Sequence, residues 1–592
     1  MNTCPVIHCL LVILLSVAAK ADAQTPRAST VPGVPWPAVD ALGRQLPTPE
    51  DVGPPRSDRF AGIFYFLWLN ERHNRSPNGE GPYDVAKILQ ADPAAIHKPA
   101  SPLWGKIGTS HYWDEPLYGY YLATDPWVLR RHANLLADAG IDTLIFDTTN
   151  AVTYREQYRK LAEVFQQVRR EGGRTPQFAF MVNTQAGATA RRIYEDLYKP
   201  GLHADLWFYW HGKPLMICDP QQADAELQEF FTLRRAHWPF TIVDTPYAWH
   251  WEAAYPQVYG YTDDPNCPEQ VNVSVAQNLN ISGGLPVNMS SGNARGRSFH
   301  DGRQDTAPGA IQYGHNFAEQ WKRGHELSPP FVMVTGWNEW IAGRWGRPDG
   351  PITFVDQFTQ EYSRDIEPMK GGHHDNYYWQ MLANLRRYKG CPPLPTASAP
   401  VTIRLAAGFE QWKDIAPEFT DHVHETLPRD FDGAGGLHYS NQTGRNDICA
   451  CKVARDAEQV YFYVRTRQPL TPHTDRHWMW LLIDADGDPT TGWQGYDLLL
   501  NRQVESDAAT WLEQNSGGWN WQATAKVPYR VQGHEFHAAI PRSALGLPEN
   551  TNDLAIQFKW VDNPQTPGDI MDFYLSGDVA PEGRFMYRYT AE

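Results

Sequence analysis

The chain has 592 residues, more than one core encloses, because cores stop growing near about 250–300 residues and longer chains divide into domains. A formal net charge of −16 excludes partners held by neutralised phosphates, so nucleic acid is not an expected ligand. Aromatic residues make up 13% of the chain, with 23 Trp, flat faces that either fill large cores or stack on sugar rings.

Residues 1–23 read as a signal peptide. An apolar run from Cys9 to Ala19 precedes Ala21-Asp22-Ala23, the small-x-small pattern of a cleavage site. The run is too short to span a bilayer and no later run reaches about 18 apolar residues, so a secreted or periplasmic protein without a membrane span is expected. Residues 24–58 are rich in Pro and lack an apolar period, which predicts a segment that wraps the surface or moves freely. Cys218, Cys267, Cys391, Cys449 and Cys451 remain after cleavage; an odd set excludes complete pairing, and one disulfide is allowed for.

From 59 to 390 short apolar runs alternate with amphipathic stretches. AGIFYFLWL, IDTLIFDT, QFAFMVN, PLMICD, FTIVDT, QVNVSVAQN and FVMVTGW read as strands. PWVLRRHANLLADAG, REQYRKLAEVFQQVRREGG, a stretch near Ala223 to Ala236, one near Phe317 to Glu326, and DNYYWQMLANLRRYKG read as helices. The alternation predicts an α/β fold, a (β/α)8 TIM-like barrel. CPPLPTASAP, 391–400, is a linker. Residues 401–592 carry short alternating strands such as AEQVYFYVRTR and LAIQFKWVDN, the pattern of an all-β sandwich.

In parallel barrels the reacting groups stand where strands end and loops begin. In FVMVTGWNEWIAG the apolar strand runs into Trp337, Asn338, Glu339 and Trp340. A carboxyl between two indoles is expected to be desolvated, with a pKa raised toward that of a general acid; pairing with an Arg such as Arg344 is the structural alternative. Asp147 ends IDTLIFDT and Asp244 ends FTIVDT, so both are candidates for a second carboxylate, with helix capping as the competing role. His111, Tyr112 and Trp113 lie beside Asp114 and Glu115 in an aromatic loop suited to hydroxyl recognition and ring stacking. The stretch from Glu361 to Asp375 gathers charges read mainly as mutual ion pairs, with Glu361 a lesser carboxylate candidate. His373 and His374 lack the HExxH spacing of a metal site, so no catalytic metal is expected, and no nucleotide-binding fingerprint appears.

TGWNEW resembles the FNEW or WNEW segment of glycoside hydrolase family 99, the endo-α-mannosidases, and of the related family 71 barrels; HYWDEPLYGYY is similar to the HYW segment of family-99-like proteins. The resemblance covers roughly 60–390 and implies a barrel acting on glycans, with Trp337, Asn338 and Trp340 joining His111, Tyr112 and Trp113 in substrate binding. Family 99 places a second glutamate three residues after the first, where this chain has Ala342. The missing partner then comes from elsewhere, Asp147 first and Asp244 second, since glycoside hydrolysis ordinarily uses two carboxyls.

The C-terminal part resembles carbohydrate-binding modules of family 9 and DOMON-like domains through LLIDADGDPTTGWQGYDLLLN and EFHAAIPRSALGL. Asp484, Asp486 and Asp488 alternate in a turn, an arrangement that suits calcium, though a plain hairpin needs none. Trp493, Trp511, Trp519 and Trp521 form a candidate stacking platform. The resulting expectation is an exported glycoside hydrolase acting on a polysaccharide or oligosaccharide without a cofactor; the alternatives are a non-catalytic glycan-binding surface protein or a polysaccharide lyase.

Overall fold

The computed structural model describes residues 29–70, 75–76, 81–237 and 245–591; the signal-peptide assignment and Asp244 fall outside them. Eight parallel strands follow one another in chain order around a barrel: β1 Phe60–Tyr65, β2 Thr143–Asp147, β3 Gln177–Met181, β4 Lys213–Ile217, β5 Thr232–His237, β6 Ala248–His250, β7 Gln270–Ser274 and β8 Phe331–Thr335. β1 closes the ring, pairing with β2 on one side and β8 on the other. Between β6 and β7 a side chain substitutes for the ladder. The Gln270 carboxamide accepts from His250 N at 2.9 Å and donates to His250 O at 2.9 Å, satisfying the peptide groups that the gap leaves open.

Helices α1 Pro126–Ala139, α2 Arg155–Arg170, α3 Ala186–Ile193, α4 Ala225–Phe230, α5 His315–Leu327 and α6 Asn376–Lys389 cover the outside. α1 begins where Asp125 accepts from Trp127 N at 3.0 Å and ends at the left-handed Gly140, a start and stop set by local chemistry. The helix expected over 223–236 is shorter than its pattern: α4 stops at Phe230 and β5 begins at Thr232. The six residues TLRRAH thus form a strand, Thr232–Arg234 pairing with β4 and Arg235–His237 with β6, because tertiary pairing overrides the weak helical pattern. No helix separates β6 from β7 among the described residues.

Alternate strand residues fill the barrel, with Phe64, Ile145, Met181, Trp249 and Phe331 among them; the remaining faces pack on the helices. Glu269, just before β7, closes the lower end of this interior. It receives Arg234 Nε at 2.7 Å, Arg234 Nη2 at 2.5 Å, Trp210 Nε1 at 2.9 Å and Trp249 Nε1 at 2.8 Å.

The Pro-rich segment is held against the barrel rather than left free. Asp142 accepts from Lys389 Nζ at 2.7 Å and from Val31 N at 2.5 Å, and Arg386 donates to the carbonyls of Val34, Trp36 and Pro47. Trp36 then reaches the C-terminal part, meeting Tyr587 edge-on at 5.1 Å.

Beyond the linker an antiparallel sheet of eleven strands curls over itself as a β-sandwich. A separate two-stranded hairpin, Arg429–Asp432 with His438–Asn441, docks on the barrel. Arg429 pairs with Asp125 at 2.8 Å, and Tyr439 accepts from Tyr120 N at 2.7 Å. Gly119, at φ +74°, makes room: a Cβ there would lie 2.5 Å from the Tyr439 ring. One apolar cluster runs from the barrel helices into Trp480, Trp493, Trp521 and Phe573 of the sandwich, so the two parts share a core.

That shared core corrects the stacking-platform expectation. Trp493 and Trp521 are buried, and Trp519 packs between them at 4.5 and 5.5 Å; only Trp511 stays apart, under Lys526. The allowance for a disulfide also falls, since all five cysteines are free. Asp484 and Asp486 converge with Asp497 rather than with Asp488, whose carboxylate instead accepts from Thr490 N at 2.9 Å. No helix among the described residues is long and apolar enough to cross a membrane.

Candidate functional site

Glu339 stands four residues past the end of β8, at the C-terminal face of the barrel. The chain then turns into a strand, Ile341–Trp345, that pairs antiparallel with Ser110–Tyr112 on one side and Thr353–Phe354 on the other. The two motif segments found in sequence are therefore neighbours, with Ala342 opposite His111. The return strand brings Asp356 and Gln357 back over Glu339, and the loop behind it supplies Arg364.

Arg364 is the hub. Its Nη2 lies 2.7 Å from Glu339 Oε2 and 3.9 Å from Asp356 Oδ1, and its Nη1 lies 4.0 Å from Glu252 Oε1. It also donates to Asn278 Oδ1 and lies 4.6 Å from the Trp251 ring centroid. Because Glu339 and Asp356 both touch Nη2, their oxygens are no further apart than those two distances laid end to end. That ceiling falls at the short edge of the about 6.5–9.5 Å spacing of inverting carboxyl pairs and above the about 5–5.5 Å of retaining ones.

Glu339 is 3% exposed, and both of its side-chain bonds converge on Oε2, from Arg364 and from Gln357 Nε2 at 2.8 Å. Oε1 accepts no hydrogen bond from the described residues and is not among the buried unpartnered atoms; it is the oxygen left for a ligand. Burial holds the Glu339 pKa well above the ordinary value, opposed by Arg364 and reinforced by Asp356, Asp365 and Asp147. Burial likewise raises Glu252 to about 7 and Asp365 to about 7. Arg364, with Arg297 beside Asp365 and Arg295 beside Glu252, does not offset the burial of this many carboxyls, so their hold on protons is strengthened.

Asp356 differs from its neighbours. Its side chain keeps 40% of its surface open, yet desolvation still raises its pKa, opposed by Arg364. Asp147 is 9% exposed and joins the same electrostatic neighbourhood, being shifted by Asp356 and Arg364 after the dominant effect of burial. It also accepts from Thr149 N in the following turn at 3.0 Å; the next helix starts only at Arg155 and has no side-chain cap, so Asp147 does not take the helix-capping role considered as its alternative.

The other sequence candidates, His111, Tyr112, Trp113, Trp337, Asn338 and Trp340, are each at most 1% exposed and pack beneath the surface. Trp113 and Trp340 stack on each other at 4.5 Å; Trp113 Nε1 donates to Asp365 at 2.7 Å and Trp340 Nε1 to Glu367 at 2.5 Å. Asp365 in turn accepts from Glu339 N at 2.5 Å. Asn338 clamps the end of β1, accepting from Phe66 N at 2.9 Å and donating to Phe66 O at 3.2 Å. Burial lowers the His111 pKa to about 4, so its ring is neutral. These contacts engage the indole N–H groups of Trp113 and Trp340 and the Asn338 carboxamide within the protein.

Arg344, the expected ion-pair partner, instead donates to the carbonyls of Gly105 and Pro99. Ala342 is buried among Trp104, Ala294 and Phe354, so an ionised glutamate there would be stranded in apolar surroundings. Glu361 is engaged elsewhere, accepting from Ser298 N and Oγ at 2.9 Å each. His373 is buried near the Trp113 and Tyr377 rings, and Asp375 takes Arg584 at 2.6 Å; they do not converge on one ion. Sequence reading missed Asp356, Glu252 and Gln357 and read Arg364 only as part of a loop. Glu252 carried a signal, the Trp-Glu pair after β6 that mirrors Trp-Asn-Glu after β8; Asp356 carried none, since it lies in an irregular loop.

No family model and no curated protein matches this chain. Among solved structures, the chain is similar to two of the GH99 endo-alpha-mannosidase from Bacteroides thetaiotaomicron, one of them in complex with BIS-TRIS-Propane. Identity is 13% in both, over 56% of this chain and 97% of the other, with TM-scores of 0.34 for the first and 0.30 for the BIS-TRIS-Propane complex.

Proposed function

We propose that the chain is an exported glycoside hydrolase that cleaves a polysaccharide or oligosaccharide by carboxyl acid/base catalysis. The observation that carries this reading is the pairing of Glu339 and Asp356 on a single nitrogen of Arg364 at the C-terminal face. Glu339, whose hold on a proton is strengthened by burial, delivers its proton through Oε1 to the glycosidic oxygen as the bond to the leaving sugar breaks. Arg364 and Gln357 fix Oε2 and so aim the acid. Asp356, open to solvent, receives a proton from the attacking water or attacks the anomeric carbon itself; Asp147 and Glu252 supply the negative field that favours an oxocarbenium-like transition state. The resemblance of TGWNEW and HYWDEPLYGYY to glycan-active barrels supports the substrate class, and the apolar leader supports export.

The test is release of reducing sugar from a panel of plant, algal and microbial polysaccharides by the intact chain and by Glu339→Gln and Asp356→Asn. Loss of release in both variants, with unchanged melting temperatures, is the expected result; full activity in Glu339→Gln overturns the reading. A second reading rests on the ion pair itself: a carboxyl bound this tightly to Arg364 suits a non-catalytic glycan-binding protein. That reading predicts glycan binding with no product from any substrate and no change in affinity on Glu339→Gln.

A further inference from the structure

Away from the Arg364 cluster, where the sandwich meets α1, three carboxyls converge without an obvious job. Asp421 follows the strand Phe419–Thr420, Glu425 lies in the loop beyond it, and Asp578 opens the strand Asp578–Ala580. One oxygen from each lies within 4.8 Å of the others. Glu425 and Asp578 are 5% and 2% exposed.

The way each carboxyl is held is the decisive feature. One oxygen is anchored: Asp578 Oδ2 accepts from Ile448 N at 2.6 Å, Asp421 Oδ1 from Tyr587 Oη at 3.4 Å, and Glu425 Oε2 from Asn134 Nδ2 at 3.5 Å. The other oxygen of each, Asp578 Oδ1, Asp421 Oδ2 and Glu425 Oε1, is buried and receives no N–H or hydroxyl donor; around it stand only further carboxyls, Glu425 facing both Asp578 and Glu582. Buried carboxylate oxygens left without donors are costly, so three clustered together call for compensation by a shared proton or a bound cation. Glu582 adds a fourth acid nearby, against Lys559 and Arg131, whose surroundings include these same groups. Lys559 donates its proton to Pro581 O rather than to the carboxyls.

We propose that Asp421, Glu425 and Asp578 bind a divalent cation of the calcium class in the seam between sandwich and barrel. The donor set is oxygen only, with no imidazole or thiolate in the group, which favours a hard cation over zinc. Calcium accepts carboxylate oxygens at about 2.3–2.6 Å, so oxygens up to 4.8 Å apart fit on opposite sides of one ion. Magnesium keeps several waters and demands octahedral geometry, which a largely buried trio does not offer. A cavity of about 510 Å3, lined by Trp36, Arg174, Asp421, Cys449 and Glu582 among others, reaches Asp421 from solvent and gives the ion a path in. Asn134 lies on α1 and Arg131 of the same helix donates to Glu425 O, so the ion would tie the sandwich to the barrel.

The experiment uses the full chain stripped with EDTA and then titrated with Ca2+ and with Tb3+. Calcium is expected to raise the melting temperature by several degrees, and terbium emission, excited through Tyr587 and Trp36, to saturate and be displaced by calcium. Glu425→Gln and Asp578→Asn are expected to lose both responses, whereas Asp486→Asn, in the exposed loop of the sandwich, keeps them. An intact chain that shows neither a calcium shift nor terbium emission overturns the proposal, in favour of acids that share protons. So does a response that survives Glu425→Gln and vanishes in Asp486→Asn. Should either seam variant fail to fold, the titration of the unaltered chain and the metal content of protein dialysed against calcium decide the matter.

Discussion

Two buried glutamates at opposite ends of one barrel have opposite chemistry. Glu269, at the N-terminal end, is surrounded by donors: a bidentate Arg234, two indole N–H groups and His211 at 3.2 Å. Those bonds outweigh burial and hold its carboxyl well below the usual carboxylate range. Glu339, at the C-terminal end, has two donors on one oxygen and shares its cation with Glu252 and Asp356, so burial wins and its pKa rises. Burial alone does not mark a catalytic acid; unmet demand for donors does. A site keeps a proton to give away only where the protein declines to neutralise the charge.

The largest effect expected from breaking this contrast is on activity. Glu339→Gln preserves volume and its bond to Arg364 but removes the transferable proton, and should lower kcat by about 10³-fold or more, with the melting temperature nearly unchanged. Initial rates and a thermal melt on the same sample check it. Glu269→Ala should do the reverse, costing about 3–5 kcal/mol of stability because Arg234 is left buried without its partner; urea unfolding measures this.

The pH responses should also run in opposite directions. The Glu269 pKa is depressed in the folded state, so its stabilisation is present above its ordinary value of 4.5 and is lost as pH falls below it. Glu252 and Asp365 are raised from 4.5 and 3.8 to about 7, so their contribution is fully present below those ordinary values and is lost as pH rises through about 7. Activity should fall over the same rise, as the cluster gives up its retained proton; rates and melting temperatures between pH 4 and 9 test both. The smallest effect concerns the support behind the acid. Trp113→Phe removes the indole donor to Asp365 and should cost about 1–2 kcal/mol while moving the alkaline limb of the rate profile upward, since Asp365 then holds its proton more firmly.

Much of the scaffold was legible locally. The strands FVMVT and IDTLIFD and the helices after Pro126 and Arg155 stand where alternation and 3.6-residue periodicity put them. The stretch around Thr232–His237 was not, because six residues with a mixed pattern become a strand only by pairing with β4 and β6. For the site, Glu339 at a strand end was readable; the solvent exposure of its aromatic neighbours was not. Trp113, Trp337 and Trp340 look identical in sequence whether they face a cleft or fill a core, and here Asp365, Glu367 and each other claim them.

Sequence by itself determined most of the order of elements and the position of one carboxyl beyond β8, because side-chain periodicity and strand ends are properties of neighbouring residues. Only the tertiary structure decided which charges meet. Arg364 joins Glu252, Glu339 and Asp356, and Asp421, Glu425 and Asp578 gather at the seam, from segments far apart in the chain. Electrostatic interaction depends on distance and on the dielectric around it, and neither exists until the chain has folded.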